Sequence, residues 1–479
     1  MRFQLPGEVI NILQILKKAG FDGFVVGGAV RDLLTNRQVD DWDFTTDAVP
    51  EEIIKLFPGS FYDNQFGTVG IPIKRPRAKG QGPRAEKDEF KIYEITTFRT
   101  EIGYSDKRRP DKVVWGKSLE EDLSRRDFTI NAMALQTRAK GQGLKAKGEE
   151  DYDVEIIDPF NGQKDLENKI IKAVRDPNQR FGEDALRMMR AIRLGAELGF
   201  GIEDKTLEAI KKNKDLIKEI SWERIRDEFL KIIASPFPAD GVKLLYNTEL
   251  LEIVLPELVK GAGVPQGGHH IYDVFTHCIE SLRFCPSPDV WVRLATLLHD
   301  VGKPDTMVMR DGKPTFYNHE VVGARIVKVI ADRLRFPREK KDFLWKMVRW
   351  HMFAYNPEMT DSAIRRFMRR VGKEDIPKMI ELRVGDRKGG GSRETSWRLE
   401  ELKSRIAGLM NDPLTVADLK IDGFDVMKAL NIKPGPIIGK VLNFLFEEVL
   451  EDPTKNTSEY LLSRIPVAVQ SPDSQQSSD

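Results

Sequence analysis

The stretch FVVGGAVRD (Phe24–Asp32), followed by Asp41-Trp42-Asp43, decides the reading of this chain. A short apolar run, a double glycine and a helical run give strand, turn, helix. Glycines at Gly27 and Gly28 let backbone N–H groups approach a phosphate, and the start of the helix favours an anion. Asp41 comes thirteen residues after Gly28. On a strand, positions i and i+2 share a face, so Asp41 and Asp43 point at one locus. Two carboxylates beside a phosphate cradle suit Mg²⁺, a hard ion that takes oxygen ligands and bridges phosphates. Taken alone the triplet is a solvated charged turn: with 75 acids in 479 residues, about a dozen such triplets arise by chance.

Outward from this stretch, the first 135 residues alternate quickly between periods. Glu8–Ala19 has helical spacing, Gly23–Val26 and Asp41–Phe44 are short strands, and Phe66–Ile73 and Glu89–Thr97 are longer ones. The pattern predicts a mixed α/β sheet. From Lys164 helices dominate: Glu183–Leu198, Asp204–Glu219, Trp222–Ala234, Pro238–Thr248, then a block from Tyr272 to about Asp386. Lys388–Ser392 (KGGGS) reads as a flexible joint, Thr395–Met410 as a charged amphipathic helix, and SPDSQQSSD as a disordered tail. The hexapeptide RAKGQG occurs at Arg77–Gly82 and Arg138–Gly143. Each copy is an extended hairpin loop, either a basic arm touching RNA or a tolerated surface insertion.

Composition narrows the class. Hydrophobic residues make up 40% and charged residues 32%, as in a soluble globular protein. No apolar run approaches the roughly 18 residues of a membrane span, and Met1–Gly20 lacks a signal-peptide layout; a cytoplasmic protein with no membrane partner is expected. Cys278 and Cys285 cannot form a disulfide framework and are expected as core thiols. Seventy-six cations against 75 anions exclude a bulk polycation that coats nucleic acid, but not local basic surfaces.

Two further segments extend the motif set: LEEDLSRRDFTINAMA (Leu119–Ala134) and RFGEDALRMMRAIRLGAELGF (Arg180–Phe200). With GGAVRD and DWD they resemble the head and neck motifs of class II tRNA nucleotidyltransferases, the CCA-adding enzymes and their bacterial poly(A) polymerase relatives. The resemblance runs from about Phe21 to Ala234. It implies an α+β fold: a polymerase β-like nucleotidyltransferase head on a mixed sheet, then a mostly helical neck. By that similarity Asp41 and Asp43 hold two metal ions, one helping to deprotonate the RNA 3′-hydroxyl and the other neutralising the triphosphate. Gly27, Gly28 and Arg31 contact the triphosphate with Arg126 close by, and Asp127 and Asn131 read the ribose. Glu94 is either a third carboxylate or a plain strand residue.

Helical spacing over Glu183–Gly195 would place Asp184, Arg187, Arg190 and Arg193 along one side. A carboxylate accepting from an exocyclic amine and a guanidinium donating to a ring nitrogen fit cytosine and adenine alike. Uracil and guanine present the opposite polarity and would leave buried polar groups unpaired. Asp184 and Arg187 are therefore either a protein template selecting CTP and ATP or an exposed intrahelical ion pair. Thr97–Val113 resembles the loop with which the family reshapes its pocket between C and A addition. Its completeness argues against a CC-only enzyme. An A-only transferase is the alternative.

All six histidines fall between residues 269 and 351, which random placement would give about once in a thousand, so the cluster points to metal or phosphate chemistry. HIYDVFTHC, LATLLHDVGKPDT, FYNHEVVGARI, VRWHMF and LRVGDRKG resemble the HD phosphohydrolase superfamily. The resemblance implies that His277, His299, Asp300 and Asp386 bind one divalent metal and that His319 and His351 add ligands for a second. His269 and His270 are read as surface or substrate-side residues. Imidazoles with carboxylates suit Mn²⁺, Ni²⁺, Fe²⁺ or Zn²⁺. The implied substrates are phosphoesters, including a 2′,3′-cyclic phosphate on a damaged RNA end. A hydrolase whose head serves only to bind RNA is the reading from another class, and the Asp41/Asp43 pair speaks against it.

In the C-terminal part, PGPIIG (Pro434–Gly439) enters an amphipathic helix and resembles the tRNA-contacting segment of some family members; it also reads as a turn joining packed helices. Arg365, Arg366, Arg369 and Arg370 are either a solvated face or a phosphate-tracking strip. The expected organisation is a head over 1–163, a neck over 164–262, an HD domain over 263–392, a C-terminal helical segment over 393–470 and a tail over 471–479. The expected function is addition of CMP and AMP to the tRNA 3′ end from CTP and ATP, with an HD phosphohydrolase in the same chain.

Overall fold

The computed structural model describes residues 1–64, 67–74, 90–102, 112–116, 118–137, 151–267, 271–353 and 355–470, apart from residue 117 and the other intervals between these ranges. Both RAKGQG segments, the centre of the Thr97–Val113 loop, His269 and His270 lie outside them. The chain forms two compact units, Met1–Val254 and Leu255–Asp479.

The N-terminal unit is built on strands β1 (Arg2–Gln4), β2 (Gly23–Val26), β3 (Asp43–Thr46), β4 (Phe61–Asn64), β5 (Thr68–Lys74), β6 (Phe90–Thr97), β7 (Arg99–Ile102), β8 (Lys112–Trp115), β9 (Ala134–Thr137) and β10 (Asp151–Ile157). Among the described residues, eight of them form one sheet in the order β1-β10-β9-β2-β3-β6-β5-β4, and β7 and β8 pair separately. Only β3 and β6 run parallel within the large sheet. One face is closed by the helix Gly7–Lys18, whose Val9, Ile12, Leu13 and Leu16 pack with Trp42, Phe44, Tyr93 and Ile95. On the other face Phe24, Val26, Phe98 and Ala134 pack with Leu123 of the short helix Leu119–Ser124. The period-two alternation of β3 thus sends Trp42 and Phe44 into the first core and leaves Asp41 and Asp43 exposed on the opposite side. The strand starts at Asp43, two residues later than the sequence suggests.

The rest of this unit is helical. The expected continuous helix from Glu183 does not form: Pro177–Glu183 ends and Leu186–Leu198 begins on either side of Asp184, whose backbone is extended (φ −140°, ψ 104°). The Asp184 carboxylate accepts from the Leu186 amide at 3.1 Å, so the residue caps the second helix in the way short acidic side chains do.

In the C-terminal unit five helices carry the histidine motifs: Val274–Arg283, Val290–Leu298, His319–Arg333, Arg338–Trp350 and Ile376–Gly389. KGGGS is not a simple joint, because Lys388 and Gly389 are still helical. A methyl group on Gly389 would stand 2.4 Å from the Ser281 amide nitrogen, and one on Gly385 2.8 Å from the Ser281 carbonyl oxygen. These glycines, one turn apart, let the last helix lie backbone-to-backbone against Val274–Arg283. That approach carries Asp386 to His277. Beyond it, Leu419, Val426, Leu445, Phe446 and Ile465 form a separate core under the helices Gly423–Leu430, Pro436–Glu451 and Ser458–Gln470.

The arginine strip is not available as a strip. Arg365 is buried, donating from Nε to the Leu450 carbonyl at 2.7 Å and from Nη2 to that of Glu451 at 2.9 Å, and pairing with Asp412 at 2.9 Å. It satisfies the carbonyls left open at the end of Pro436–Glu451. Arg366 pairs with Glu451, Arg369 with Glu447, and Arg370 lies over the Trp350 ring.

Gly389→Ala should force the two helices apart and destabilise this unit by about 2 kcal/mol, the usual cost of overpacking. Chemical denaturation of the full chain checks this, and an unchanged midpoint would disprove the close contact.

Candidate functional sites

The open face of the head sheet gathers carboxylates at adjoining positions. Asp43 is the register partner of Val26 in β2 and of Glu94 in β6. Asp41, Asp43 and Glu94 are all exposed and alternate with buried neighbours, so they share that face. Gly27 follows Val26 with φ +75°; a methyl group there would meet Nη1 of Arg126 at 2.9 Å and Oδ2 of Asp43 at 3.5 Å. Only glycine leaves that volume open between the guanidinium and the carboxylate. Although Asp43 keeps an exposed edge, the protein packed around its carboxyl raises it above its ordinary value; Arg126 opposes the rise and Asp41 adds to it. A carboxylate that resists ionisation beside a second one is a site in want of positive charge. The Arg126 Nε is buried without a hydrogen-bond partner, while its Nη2 lies 3.7 Å from Asp122.

Behind this face a network joins the three sequence motifs. Arg31 grips Asp32 through Nε and Nη2, both at 2.9 Å, and donates from Nη1 to Oδ1 of Asn131 at 2.9 Å. Asn131 donates from Nδ2 to Oδ1 of Asp127 at 3.3 Å. The other Asp127 oxygen accepts from Nε and Nη2 of Arg190 at 2.8 and 2.6 Å. Burial works to raise Asp127, but the charge and hydrogen bonds of Arg190 outweigh it and hold the carboxyl at about 2.

Asp184 and Arg187 do not pair with each other as an intrahelical ion pair would. Asp184 accepts from Arg224 at 3.3 Å, and Arg187 donates to Glu183 at 2.6 Å and to the Arg125 carbonyl at 3.2 Å. Arg193 donates to Glu228 at 3.2 Å. Glu183, Arg224, Asp122 and Glu228 are the partners that sequence reasoning missed. The Arg180-x₂-Glu183-x₃-Arg187 spacing was the available signal for Glu183, since positions three and four apart are neighbours on a helix.

The C-terminal unit holds the second constellation. His277 lies in the helix Val274–Arg283, His299 closes Val290–Leu298, His319 opens His319–Arg333, His351 closes Arg338–Trp350 and Asp386 lies in Ile376–Gly389. All five side chains and Asp300 meet. Nε2 of His277 lies 3.2 Å from Asp386 and 3.4 Å from Asp300, and Nε2 of His299 lies 3.2 Å from Asp300. On the other oxygen of Asp300, His319 and His351 approach to 3.3 and 3.6 Å. Two groups result, His277–His299–Asp300 and Asp300–His319–His351, each with ligand atoms within 4.8 Å of one another.

The donor set fits metal ions. Nδ1 of His299, His319 and His351 each lies 2.7 to 2.8 Å from the carbonyl of Thr296, Phe316 or Val348. A carbonyl only accepts, so Nδ1 carries the proton and Nε2 turns its lone pair inward. Nε2 atoms then face each other at 3.2 Å between His277 and His299 and at 3.4 Å between His319 and His351, a contact that calls for a cation or a proton between them. Burial lowers His299, but Asp300 and Asp386 outweigh it and push it up to about 10. Burial also works to raise Asp300, yet His299 and Lys303 hold it well below the usual carboxylate range. Lys303, which donates to Gln266 at 2.7 Å and pairs with Asp300 at 2.6 Å, was missed in the sequence although it stands one helical turn after the His299-Asp300 pair.

Comparison with known proteins gives the family. Residues 23–172 match the Poly A polymerase head domain, 199–260 the probable RNA and SrmB-binding site of polymerase A, 274–387 the HD domain and 398–465 a putative tRNA nucleotidyltransferase domain 2. A CCA-adding enzyme of Ligilactobacillus salivarius is 32% identical over 95% of this chain and 95% of its own. The chain belongs to the CCA-adding enzyme family. The CCA-adding enzyme of Lactobacillus helveticus is 41% identical over 67% of this chain and 70% of its own length. The crystal structure of the Bacillus stearothermophilus CCA-adding enzyme in complex with CTP superposes with a TM-score of 0.69, at 27% identity, over 96% of each chain. Family membership confirms the α+β reading, with a mixed-sheet head, a mostly helical remainder and an HD domain. No helix among the described residues is long and apolar enough to cross a membrane.

The Asp127–Arg190 pair has a measurable pH signature in this CCA-adding family member. With the native carboxyl at about 2 against 3.8 ordinarily, the pair contributes roughly 2 kcal/mol that is fully present above about pH 4. It is lost as the pH falls from about 4 towards 2. Asp127→Asn should lower stability at neutral pH by about 3 kcal/mol and flatten the acid dependence in that window. Denaturant titrations at a series of pH values check both effects.

Proposed function

We propose that this chain adds CMP and AMP to the 3′ end of tRNA, using CTP and ATP, and that its HD centre hydrolyses phosphoesters. The observation that carries the first activity is the alignment of Asp41, Asp43 and Glu94 on one open sheet face, with Gly27 leaving room beside Arg126. In the transfer, the RNA 3′-oxygen attacks the α-phosphorus, the bond to the β-phosphate oxygen breaks, pyrophosphate leaves and the hydroxyl proton is lost. Mg²⁺ held by Asp41 and Asp43 supplies charge neutralisation of the triphosphate and favours the ionised hydroxyl. Gly27 and Gly28 admit the triphosphate close to the backbone. Arg126 supplies positive charge there, and Arg31, anchored by Asp32, fixes Asn131 for the ribose. Asp127 holds Arg190 and Asn131 in place. Asp184 and Arg187 read the base, exchanging their contacts with Arg224 and Glu183 for the amine and ring nitrogen of C or A. Arg193, tied to Glu228, keeps the reading helix seated.

The HD centre is assigned from its six inward side chains sharing Asp300. A divalent ion such as Mn²⁺ or Ni²⁺ held by His277, His299, Asp300 and Asp386, with a second held by Asp300, His319 and His351, supplies Lewis-acid stabilisation of a phosphoester. Lys303 balances the charge of Asp300, and the surrounding cavity of about 490 Å³ has room for a phosphate. We assign residues 1–163 to the head, 164–262 to the neck, 263–392 to the HD domain and 393–470 to a tRNA-contacting segment. A cytoplasmic setting fits the two free, buried cysteines.

The test supplies CTP, ATP or both to purified protein with tRNA ending before CCA, tRNA ending in CC, or an unrelated RNA. CMP then AMP should enter the first tRNA. Absence of CMP incorporation would remove the assignment, and AMP addition to any RNA would make the chain an A-only polymerase. Asp43→Ala should lower incorporation by about a thousandfold or more while sparing phosphoester hydrolysis. Asp300→Ala should do the reverse. Loss of both activities in either folded variant would refute two independent sites.

A further inference from the structure

Beyond the carboxylates the open face of the head sheet turns apolar. Asp43 in β3 is the register partner of Glu94 in β6, Glu94 of Gly70 in β5, and Gly70 of Phe61 in β4. Register partners share a face, so these four residues form one row across the sheet. Ile92 and Phe90 precede Glu94 at steps of two along β6, and Pro72 is the register partner of Ile92. Phe61, Phe90 and Ile92 are 42%, 50% and 54% exposed, so an apolar surface flanks the carboxylates on one side. Its central element is a flat ring. A methyl group on Gly70 would stand 2.6, 2.9 and 3.1 Å from Cζ, Cε2 and Cε1 of Phe61. Distances so nearly equal put the methyl over the face of the ring. Edge-on, the two flanking carbons would stand much farther off than the tip. The ring therefore lies face-down on the glycine, and its other face is turned away from the sheet. Covering a strand glycine accounts for the inner face. The exposure of the residue belongs to the outer face and the rim.

The chemistry proposed for this face fixes the direction of approach. In the transfer the RNA 3′-oxygen bonds to the α-phosphorus as the bond to the β-phosphate oxygen breaks. Pyrophosphate departs and the hydroxyl proton passes to water. Attacking and leaving oxygens lie in line through the phosphorus. The pyrophosphate side is marked by Gly27, which follows the β2 partner of Asp43 and has Arg126 beside it. The 3′-hydroxyl therefore arrives from the opposite side, over β6, β5 and β4. The Phe61 ring lies over Gly70, two strand steps or about 10 Å from β3. The base on the ribose that carries the reacting hydroxyl falls within that reach. We propose that the outer face of Phe61, with Ile92 diagonally beside it, is the seat on which the 3′-terminal base of the RNA stacks. This rests on the nucleotidyl-transfer reading above. A second copy of the chain seated on the same face would stand against Glu94 and Asp43 and obstruct the transfer. Stacking on an aromatic plane is indifferent to the identity of the base. An RNA that grows by CMP and then AMP presents a new last base at each round, and one plane serves them all.

The test measures binding of the full chain to tRNA ending before CCA, with an ordinary or an abasic last residue and no nucleotide present. Loss of the base should weaken binding to wild type about tenfold. Phe61→Ala should weaken binding of the ordinary tRNA by the same factor and bind the abasic tRNA no worse than wild type does. Phe61→Leu, which still covers Gly70 but has no plane, should behave like Phe61→Ala, and Phe61→Tyr like wild type. In steady-state assays Phe61→Ala should lower kcat/KM for tRNA about tenfold and leave the KM for CTP unchanged, which also reports that the site is folded. Equal affinities of wild type for the two tRNAs, or losses that multiply when ring and base are both removed, would overturn the seat. Should Phe61→Ala instead dissociate a dimer in sedimentation, the face joins two copies of the chain and the seat is likewise wrong. If wild type adds no CMP to any tRNA, the transferase reading fails, and the four affinities alone decide the seat.

Discussion

The N-terminal unit depends on one charge pair whose carboxylate is buried. Asp127 and Arg190 lie far apart in sequence, one just after the short helix Leu119–Ser124 and the other on the helix Leu186–Leu198, and they meet through two short hydrogen bonds. Breaking such a pair strands a buried carboxylate, so the two segments are held in register by a penalty for separation as well as by attraction. Asn131 and Arg31 extend the same chain of bonds towards the double glycine. The helix Leu186–Leu198 and the double-glycine turn thus share one support.

The C-terminal unit reaches comparable order by a different route. There, five helices deliver five inward nitrogen- or oxygen-donor side chains, and three imidazoles are fixed by the carbonyl three residues before each. Asp300 lies between the two histidine groups and accepts from both sides. Its depressed carboxyl and the raised His299 are two expressions of one crowded cluster, in which like lone pairs face one another. The charge that such a cluster lacks is the charge a divalent ion carries.

Much of this was legible in the chain. The alternation Asp41-Trp42-Asp43 gave the open face because one large apolar residue between two acids leaves no other orientation for a half-buried strand. The grouping of histidines was visible because few other uses bring so many imidazoles into one stretch. Four features were not legible, each for a physical reason. The break at Asp184 is capping chemistry overriding an otherwise continuous helical period. Arg224 gained its role from a tertiary neighbour, Asp184, that no local pattern specifies. The arginines Arg365, Arg366 and Arg369 read as either a solvated face or a phosphate-tracking strip, yet carboxylates and helix-end carbonyls of the following segment take them up. Gly389, inside KGGGS, read as part of a flexible joint, whereas its missing side chain, like that of Gly385, serves close approach.

That close approach also sets a mechanical property. Where side chains separate two helices, rotamer changes give the interface compliance. Where backbone rests on backbone, as at Gly385 and Gly389 against Ser281, there is little to deform. The helix Ile376–Gly389 bears Asp386 and Arg387 at adjoining positions, one in the histidine cluster and the other lining the neighbouring cavity beside Phe353 and Phe367. Displacement of this stiff edge would move both together, so the spacing between the histidine cluster and the cavity beside it behaves as a fixed gauge.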